Sequence, residues 1–272
     1  MIDRRILLAG LAAAPLTACA TGTGAVTEAR GAALTLVTFN IWHNQGDWAA
    51  RLPLLIAAIR AENPDVIALQ EVLEDAAVGL PNQARTIADA LGGYEMHFVS
   101  TDAEGAPRRY GNAILSRLPV LAHDWKTLEP LDDYRTALRV RVHAGGRAVD
   151  IVNTHLAWQA DAQAVRARQL ADLMSWLPKD GTPLIVTGDF NAVQEDAGLA
   201  VVTGERFFSA LPRGTAATTL NPAKNHPPRV IDHVFAETAR FAPVRAAVIG
   251  AEPTDGEYPS DHFGVAATVR LR

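Results

Sequence analysis

Pro183-Leu-Ile-Val-Thr-Gly-Asp-Phe-Asn191 is the stretch on which the reading of this sequence turns. Leu184, Ile185, Val186 and Thr187 form a short apolar, largely β-branched run of strand length. Gly188 then breaks the run, and Asp189 and Asn191 follow directly. The same grammar recurs along the chain. Leu34–Phe39 is a strand signal that ends at Asn40. Asp65–Leu69 is a short apolar strand that ends at Gln70-Glu71. Ala148–Thr154 delivers Asn153-Thr154-His155, and Arg229–Ala236 carries Asp232 within an apolar strand. Asp261-His262 directly precedes a last strand, Gly264–Leu271. Polar groups at one edge of packed sheets converge on one cleft. Clustered carboxylates there repel each other and cost desolvation unless a cation or mutual pairing compensates.

The elements between these signposts set the fold class. Trp48–Ala61 has Leu52, Leu55, Ile56 and Ile59 at helical spacing and stops at Asn63-Pro64. Pro81–Leu91 and Ala162–Leu177 read as further helices. Tyr94–Ser100 reads as a strand, and Asn112–Leu115 as another after a polar loop. Ala137–His143 turns at Gly145-Gly146 into Ala148–Thr154. Strand–helix alternation at the front and hairpin-like pairs later argue for two packed mixed sheets with helices outside, an α/β (α+β) architecture. No linker interrupts residues 34–272, so one domain is expected. The chain has 272 residues, 49% of them hydrophobic and 20% charged, in the ordinary globular range.

The N-terminus reads differently. Met1-Ile-Asp-Arg-Arg5 is a short basic start, Ile6–Ala14 an apolar run too short to span a bilayer comfortably, and Leu16-Thr-Ala-Cys19 closes it. Residues 1–18 read as a signal peptide. Leu16-Thr-Ala-Cys19 resembles a bacterial lipobox, which implies cleavage before Cys19 and a lipid on its thiol. Arg4-Arg5 followed by Ile6-Leu7-Leu8 resembles a twin-arginine export signal. Residues 19–33 are small and polar and read as a flexible tether. An exported, periplasmic protein follows, touching the membrane only through lipid on Cys19. Cys19 is the sole cysteine, so the domain carries no disulfide and no thiol chemistry. The formal net charge is −5, which speaks against tight non-specific grip on duplex nucleic acid.

Hard oxygen ligands with few histidines suggest Mg²⁺ or Mn²⁺ in the cleft, as suits transfer of a phosphoryl group to water. Thr38-Phe-Asn-Ile41, Leu69-Gln-Glu71, Tyr110-Gly-Asn-Ala-Ile-Leu-Ser116, Asn153-Thr-His-Leu156, Thr187-Gly-Asp-Phe-Asn191, Ile231-Asp-His233 and Ser260-Asp-His262 together resemble the ordered motifs of the endonuclease/exonuclease/phosphatase family. The resemblance implies a four-layer α/β/β/α sandwich and a metal-dependent hydrolase of phosphate esters, most simply a phosphodiesterase. Its roles carry over residue by residue. Glu71 is the principal metal ligand, helped by Asn40, with Asp261 completing or supporting the site. Asp189 orients the attacking water or ligates metal. Asn191 and His155 donate to the phosphate. His262 is the imidazole beside the water, as base or as electrostatic stabiliser, and Asp232 holds its other nitrogen.

Asn112 and Arg135 are candidate phosphate contacts, against the plainer readings of a turn cap and a solvated arginine beside Asp132 and Asp133. Arg108, Arg109 and Tyr110 read as a basic loop tip that touches substrate. His43, His97, His123, His143 and His226 match no catalytic position, and His233 is read as structural because it faces away from Asp232. The tryptophans read as packing. A monomer is expected, with a small-molecule, lipid or nucleic-acid phosphoester as substrate. Nuclease action and a catalytically silent binding protein are the alternatives. Residues 102–110, 157–161 and 212–228 are where substrate choice is expected to reside.

Overall fold

The computed structural model describes residues 32–272, so the expected signal peptide and most of the expected tether lie outside the described residues. In chain order the elements are β1 (Ala33–Asn40), α1 (Trp48–Glu62), β2 (Val66–Asp75), α2 (Gln83–Leu91), β3 (Glu95–Ser100), β4 (Arg108–Ser116), β5 (Val120–Thr127) and β6 (Thr136–Ala144). They continue with β7 (Arg147–His155), α3 (Gln163–Trp176), β8 (Leu184–Asp189), α4 (Ala200–Thr203), β9 (Phe207–Ser209), β10 (Asp232–Glu237), β11 (Phe241–Ile249) and β12 (Gly264–Leu271).

Two six-stranded mixed sheets result, ordered β11-β12-β1-β2-β4-β3 and β5-β6-β7-β8-β10-β9. Each has one parallel neighbour pair at its centre, β1·β2 and β7·β8, among antiparallel ones. Strand alternation explains the layering. On β1, Leu34 and Leu36 enter the core between the sheets, while Val37 and Phe39 enter a second core under α1 and α2. On β8, Ile185 faces the shared core, while Leu184 and Val186 pack under α3. The order is therefore helices, sheet, sheet, helix, the expected four-layer sandwich. No helix among the described residues is long and apolar enough to cross a membrane.

Local sequence sets the boundaries. The Asp47 carboxylate caps α1 by accepting from the Ala50 amide at 3.0 Å, and Asn63 ends the helix in the left-handed conformation before Pro64. Three strands escaped sequence reading. β5 and β11 are sheet edges with few fully buried side chains, and Pro243 interrupts β11 where the register shifts. β9 has only three residues. Three expectations are corrected. β2 does not end at Glu71 but continues to Asp75, with a register shift between Leu69 and Val72. Arg108, Arg109 and Tyr110 are therefore not a loop tip, because that continued arm of β2 pairs with them as part of β4. Asp232 begins β10 rather than lying in its interior.

Candidate active site

Register alone assembles the centre of the site. His155 lies opposite Asp189 across the parallel β7·β8 pair, and Asp232 lies opposite Asp189 across β8·β10. Gly188 permits this approach. A Cβ there would stand 1.9 Å from the Thr154 carbonyl oxygen, and its φ of +137° is one that side-chain-bearing residues rarely adopt. Gly111 serves similarly beside Asn112, since a Cβ would meet the Val99 carbonyl at 1.8 Å.

The two sheets meet at this edge through buried amides. Gln70 Nε2 donates to Thr38 Oγ1 at 3.0 Å and to Asn153 Oδ1 at 2.7 Å, and Asn153 Nδ2 donates to the carbonyls of Leu69 and Ala113. Above them Asn40 Nδ2 donates to Glu71 Oε1 at 3.1 Å and to Asp189 Oδ2 at 3.0 Å. One amide thus holds together two carboxylates from different sheets that would otherwise repel. Glu71 occupies the bulge of β2 at φ 58°. A non-glycine residue held there, at a bulge and between buried acids, marks strain kept for a purpose.

Asp189 is the hub. The Asn191 amide donates to its Oδ1 at 2.8 Å, His155 Nε2 stands 3.4 Å from its Oδ2, and His262 Nε2 stands 3.9 Å from the same oxygen. On its other side the His262 ring pairs Nδ1 with Asp232 Oδ2 at 2.9 Å. Burial drives His262 toward the neutral form, but Asp232 and Asp189 outweigh it and lift its pKa well above the usual imidazole range. Burial raises Asp232 against the pull of His262. Burial also works against the Asp189 carboxylate, yet His155, His262, Asn40 and the Asn191 amide hold its pKa below the ordinary value. His155 goes the other way: burial and the Arg135 charge push it down to about 3, so it is neutral at pH 7.

Glu71 is pushed up by burial and by the nearby Asp261 charge, against the bond from Asn40 and the imidazoles of His262 and His43. A carboxylate so placed is short of positive charge. Its neighbour Asp261 offers further oxygen donors of the kind a hard divalent cation takes, whereas Asn40 presents its NH2 to Glu71 and its Oδ1 accepts from the Trp42 amide at 3.0 Å. Asp189, Asp232 and His262 also offer ligand atoms within 4.8 Å of one another. That trio suits an ion less well, because His262 held as imidazolium has no lone pair to give.

A cavity of about 640 Å³ opens over these groups and is lined in part by Glu71, His155, Asp189, Asn191 and His262. Arg135 reaches it at the side, 3.6 Å from Asp133. Asn112 also lines it, but its Nδ2 is bonded to Thr136 Oγ1 at 3.0 Å and to the Thr136 carbonyl. Asn191 Nδ2 bonds the Leu156 carbonyl at 3.1 Å. Asp261 stands behind the cavity, accepting from Ser260 Oγ and paired with His226 Nε2 at 3.1 Å. His233 lies on the far face of β10, with Nε2 against the Ala192 carbonyl at 2.9 Å and its ring between Phe190 and Phe235.

Several residues at the site went unread in the sequence. Arg51 is fully buried and sends all its donors to backbone carbonyls of two loops: Ile41, Trp42, His43 and Gln45 on one side and Pro259 on the other. Trp42 and His43 are both left-handed, at φ 57° and 29°. Arg51 thereby clamps the turn after Asn40 to the loop carrying Asp261 and His262. An arginine in line with Leu55 and Ile59 on the buried stripe of α1 was the available signal. His43, which matched no expected position, lies 3.9 Å from Glu71, while Tyr110, expected to touch substrate, lines the cavity with its hydroxyl raised in pKa by burial and by the Glu71 charge. Trp158 is not packing: it is 67% exposed at the cavity mouth.

The profile of the Endonuclease/Exonuclease/phosphatase family matches residues 37–262. The chain belongs to that family. Solved structures of the same fold include an endonuclease/exonuclease/phosphatase family protein from Bacteroides thetaiotaomicron, at TM-score 0.74 and 20% identity, covering 89% of this chain and 99% of that one. The human Nocturnin catalytic domain aligns at TM-score 0.72 and 21% identity over 88% and 95% of the two chains. A humanized TDP2 of D. rerio aligns at TM-score 0.71 and 22% identity over 88% and 99%. No curated protein matches the sequence significantly. Membership of the endonuclease/exonuclease/phosphatase family makes the chain a phosphoester hydrolase in type, and the fold agrees.

Proposed function

We propose that the protein is a Mg²⁺- or Mn²⁺-dependent phosphodiesterase in which Asp189 activates water beside a His262–Asp232 pair. The observation that carries this reading is the setting of Asp189, a buried carboxylate at the cavity floor kept ionised by the His262 imidazolium and by hydrogen bonds from Asn40 and the Asn191 amide. Glu71 would be the principal metal ligand, with Asn40 and Asp261 supporting it. A bound Mg²⁺ or Mn²⁺ would polarise the phosphate and offset charge on the leaving oxygen.

The chain's own groups do the rest. Asp189 orients a water and takes its proton as the water oxygen bonds to phosphorus and the bond from phosphorus to the leaving oxygen breaks. His262, held as imidazolium by Asp232, faces the negative charge that accumulates on the phosphoryl oxygens and acts as stabiliser rather than base. Neutral His155 offers one ring N–H to the same oxygens, and Arg135 adds fixed positive charge from the side. Asn191 contributes its backbone amide to Asp189 and a remaining amide hydrogen toward the phosphate.

Hydrolysis of bis-p-nitrophenyl phosphate by the full chain tests this reading. Turnover with Mn²⁺ or Mg²⁺ that EDTA abolishes is expected. No turnover on that ester, p-nitrophenyl phosphate, sphingomyelin or plasmid with either ion would overturn it. Plasmid nicking that vanishes in Glu71→Ala would favour the nuclease alternative. Export and anchoring through Cys19 complete the proposal. Cys19→Ser is expected to release the protein from the membrane fraction, and unchanged membrane association would count against the anchor.

A further inference from the structure

The mouth of the cavity is built from aromatic side chains that the chemistry above does not use. Tyr134 and Trp158 both line it, and they are 70% and 67% exposed. Each is tied to a phosphate-facing residue by the chain itself. Tyr134 directly precedes Arg135, and Trp158 stands three residues after His155. Tyr134 is held at φ 54°, with its amide donating to the Leu131 carbonyl at the end of a short turn over Leu131–Asp133. The backbone at Trp158 is bracketed just as firmly. The carbonyls of Ala157 and Gln159 both accept from Arg166 Nη1, at 3.1 and 3.0 Å, and the Ala157 amide donates to Gln169 Oε1. Two large, solvated rings on pinned backbones thus line the same cavity as His155, Asp189 and Arg135.

We infer that Tyr134 and Trp158 form a stacking site for a planar aromatic ring one ester away from the scissile phosphate, so that the preferred substrates are nucleotidyl or similar aryl phosphodiesters. This rests on the phosphodiesterase reading above. An exposed aromatic face has a large stacking surface that any planar ring satisfies. A choline-like cation would also suit an aromatic cage, but it needs free negative charge beside it. Both lining carboxylates outside the floor are turned to partners of the chain itself. Asp102 accepts from the Tyr110 amide at 2.9 Å and Ser100 Oγ at 3.0 Å, and Asp133 accepts from Gln169 Nε2 at 2.6 Å beside Arg135. An acyl chain fits worse still, because apart from the aromatic residues the cavity wall is polar or charged.

Three chromogenic esters with one leaving group separate these possibilities: the p-nitrophenyl esters of thymidine 5′-phosphate, methyl phosphate and phosphocholine. Wild type is expected to favour the thymidine ester over the methyl ester by about tenfold or more in kcat/KM. Trp158→Ala and Tyr134→Ala should each remove about tenfold of that preference through KM, with kcat and the methyl ester unaffected. Trp158→Phe should retain most of it. Equal losses on the thymidine and methyl esters, or a choline ester preferred by wild type and lost in the variants, would overturn the inference. A binding readout keeps it separable from the catalytic reading. Thymidine 5′-monophosphate should quench tryptophan fluorescence in wild type and not in Trp158→Phe. Quenching without any turnover would sink the phosphodiesterase reading alone. Turnover of the methyl ester with no quenching and no thymidine preference would sink the stacking site alone.

Discussion

The floor and the rim of the cavity are built on opposite principles. On the floor, Asn40, Glu71, Asp189, Asp232 and His262 each have a partner from a different strand or loop, and most are almost fully buried. Strand register fixes their positions, so the groups cannot move apart without breaking the sheets. At the rim, Tyr134 and Trp158 have pinned backbones but free rings. The difference teaches where tolerance lies. A floor so preorganised is costly to alter at any one member, because a removed partner leaves another charge buried and unpaired. A rim residue costs only its own contact.

The largest expected effect is at the hub. Asp189→Asn should lower kcat on bis-p-nitrophenyl phosphate by about a thousandfold or more while leaving the fold intact by circular dichroism. A loss under tenfold would break the contrast between floor and rim. Glu71→Gln should come next, weakening Mn²⁺ binding by about a hundredfold in calorimetry, a readout independent of turnover. Arg51→Lys tests whether the floor extends to the loops around it. One ammonium cannot serve carbonyls on both loops, so Mn²⁺ binding should weaken by about tenfold with secondary structure retained. Unchanged affinity would confine Arg51 to ordinary packing.

His233 marks the lower limit of effect on turnover. Burial pushes its pKa down to about 4, so the folded state keeps it neutral while the unfolded chain protonates near 6.5. A depressed folded pKa contributes stability in full above the unfolded value and loses it as pH falls toward the folded value. Unfolding free energy should therefore drop between pH 6.5 and 4, with at most about 3 kcal/mol from this group. His233→Gln should flatten that part of the profile and leave kcat at pH 7.5 within about twofold. An unchanged slope in urea titrations across that range would show that the ring is not buried neutral.

The same contrast decides what could be read from the sequence. Floor residues sit at strand ends after apolar runs, so Asn40, His155 and Asp189 announce themselves by position, and register then brings them together. Glu71 was found, but its setting was not. A bulge is invisible to hydrophobic alternation, so β2 seemed to stop there. The edge strands β5 and β11 were missed because few of their side chains are fully buried, which leaves little apolar alternation to read. Trp158 was misread for a related reason: tryptophan is usually buried, and only the tertiary path of the loop after His155 exposes it. Arg51 shows that the signal was sometimes present. A charged residue on the buried stripe of a helix requires partners, and those partners proved to be the backbone of two active-site loops.

Among all these tests, one goes to the centre of the account: single-turnover hydrolysis of bis-p-nitrophenyl phosphate by the full chain and by Asp189→Asn, each with saturating Mn²⁺ and again after EDTA. The account predicts rapid Mn²⁺-dependent release of p-nitrophenol by wild type, none after EDTA, and a rate lower by about a thousandfold in the variant that still binds Mn²⁺. Equal rates for the two proteins, or hydrolysis that persists in EDTA, would contradict it.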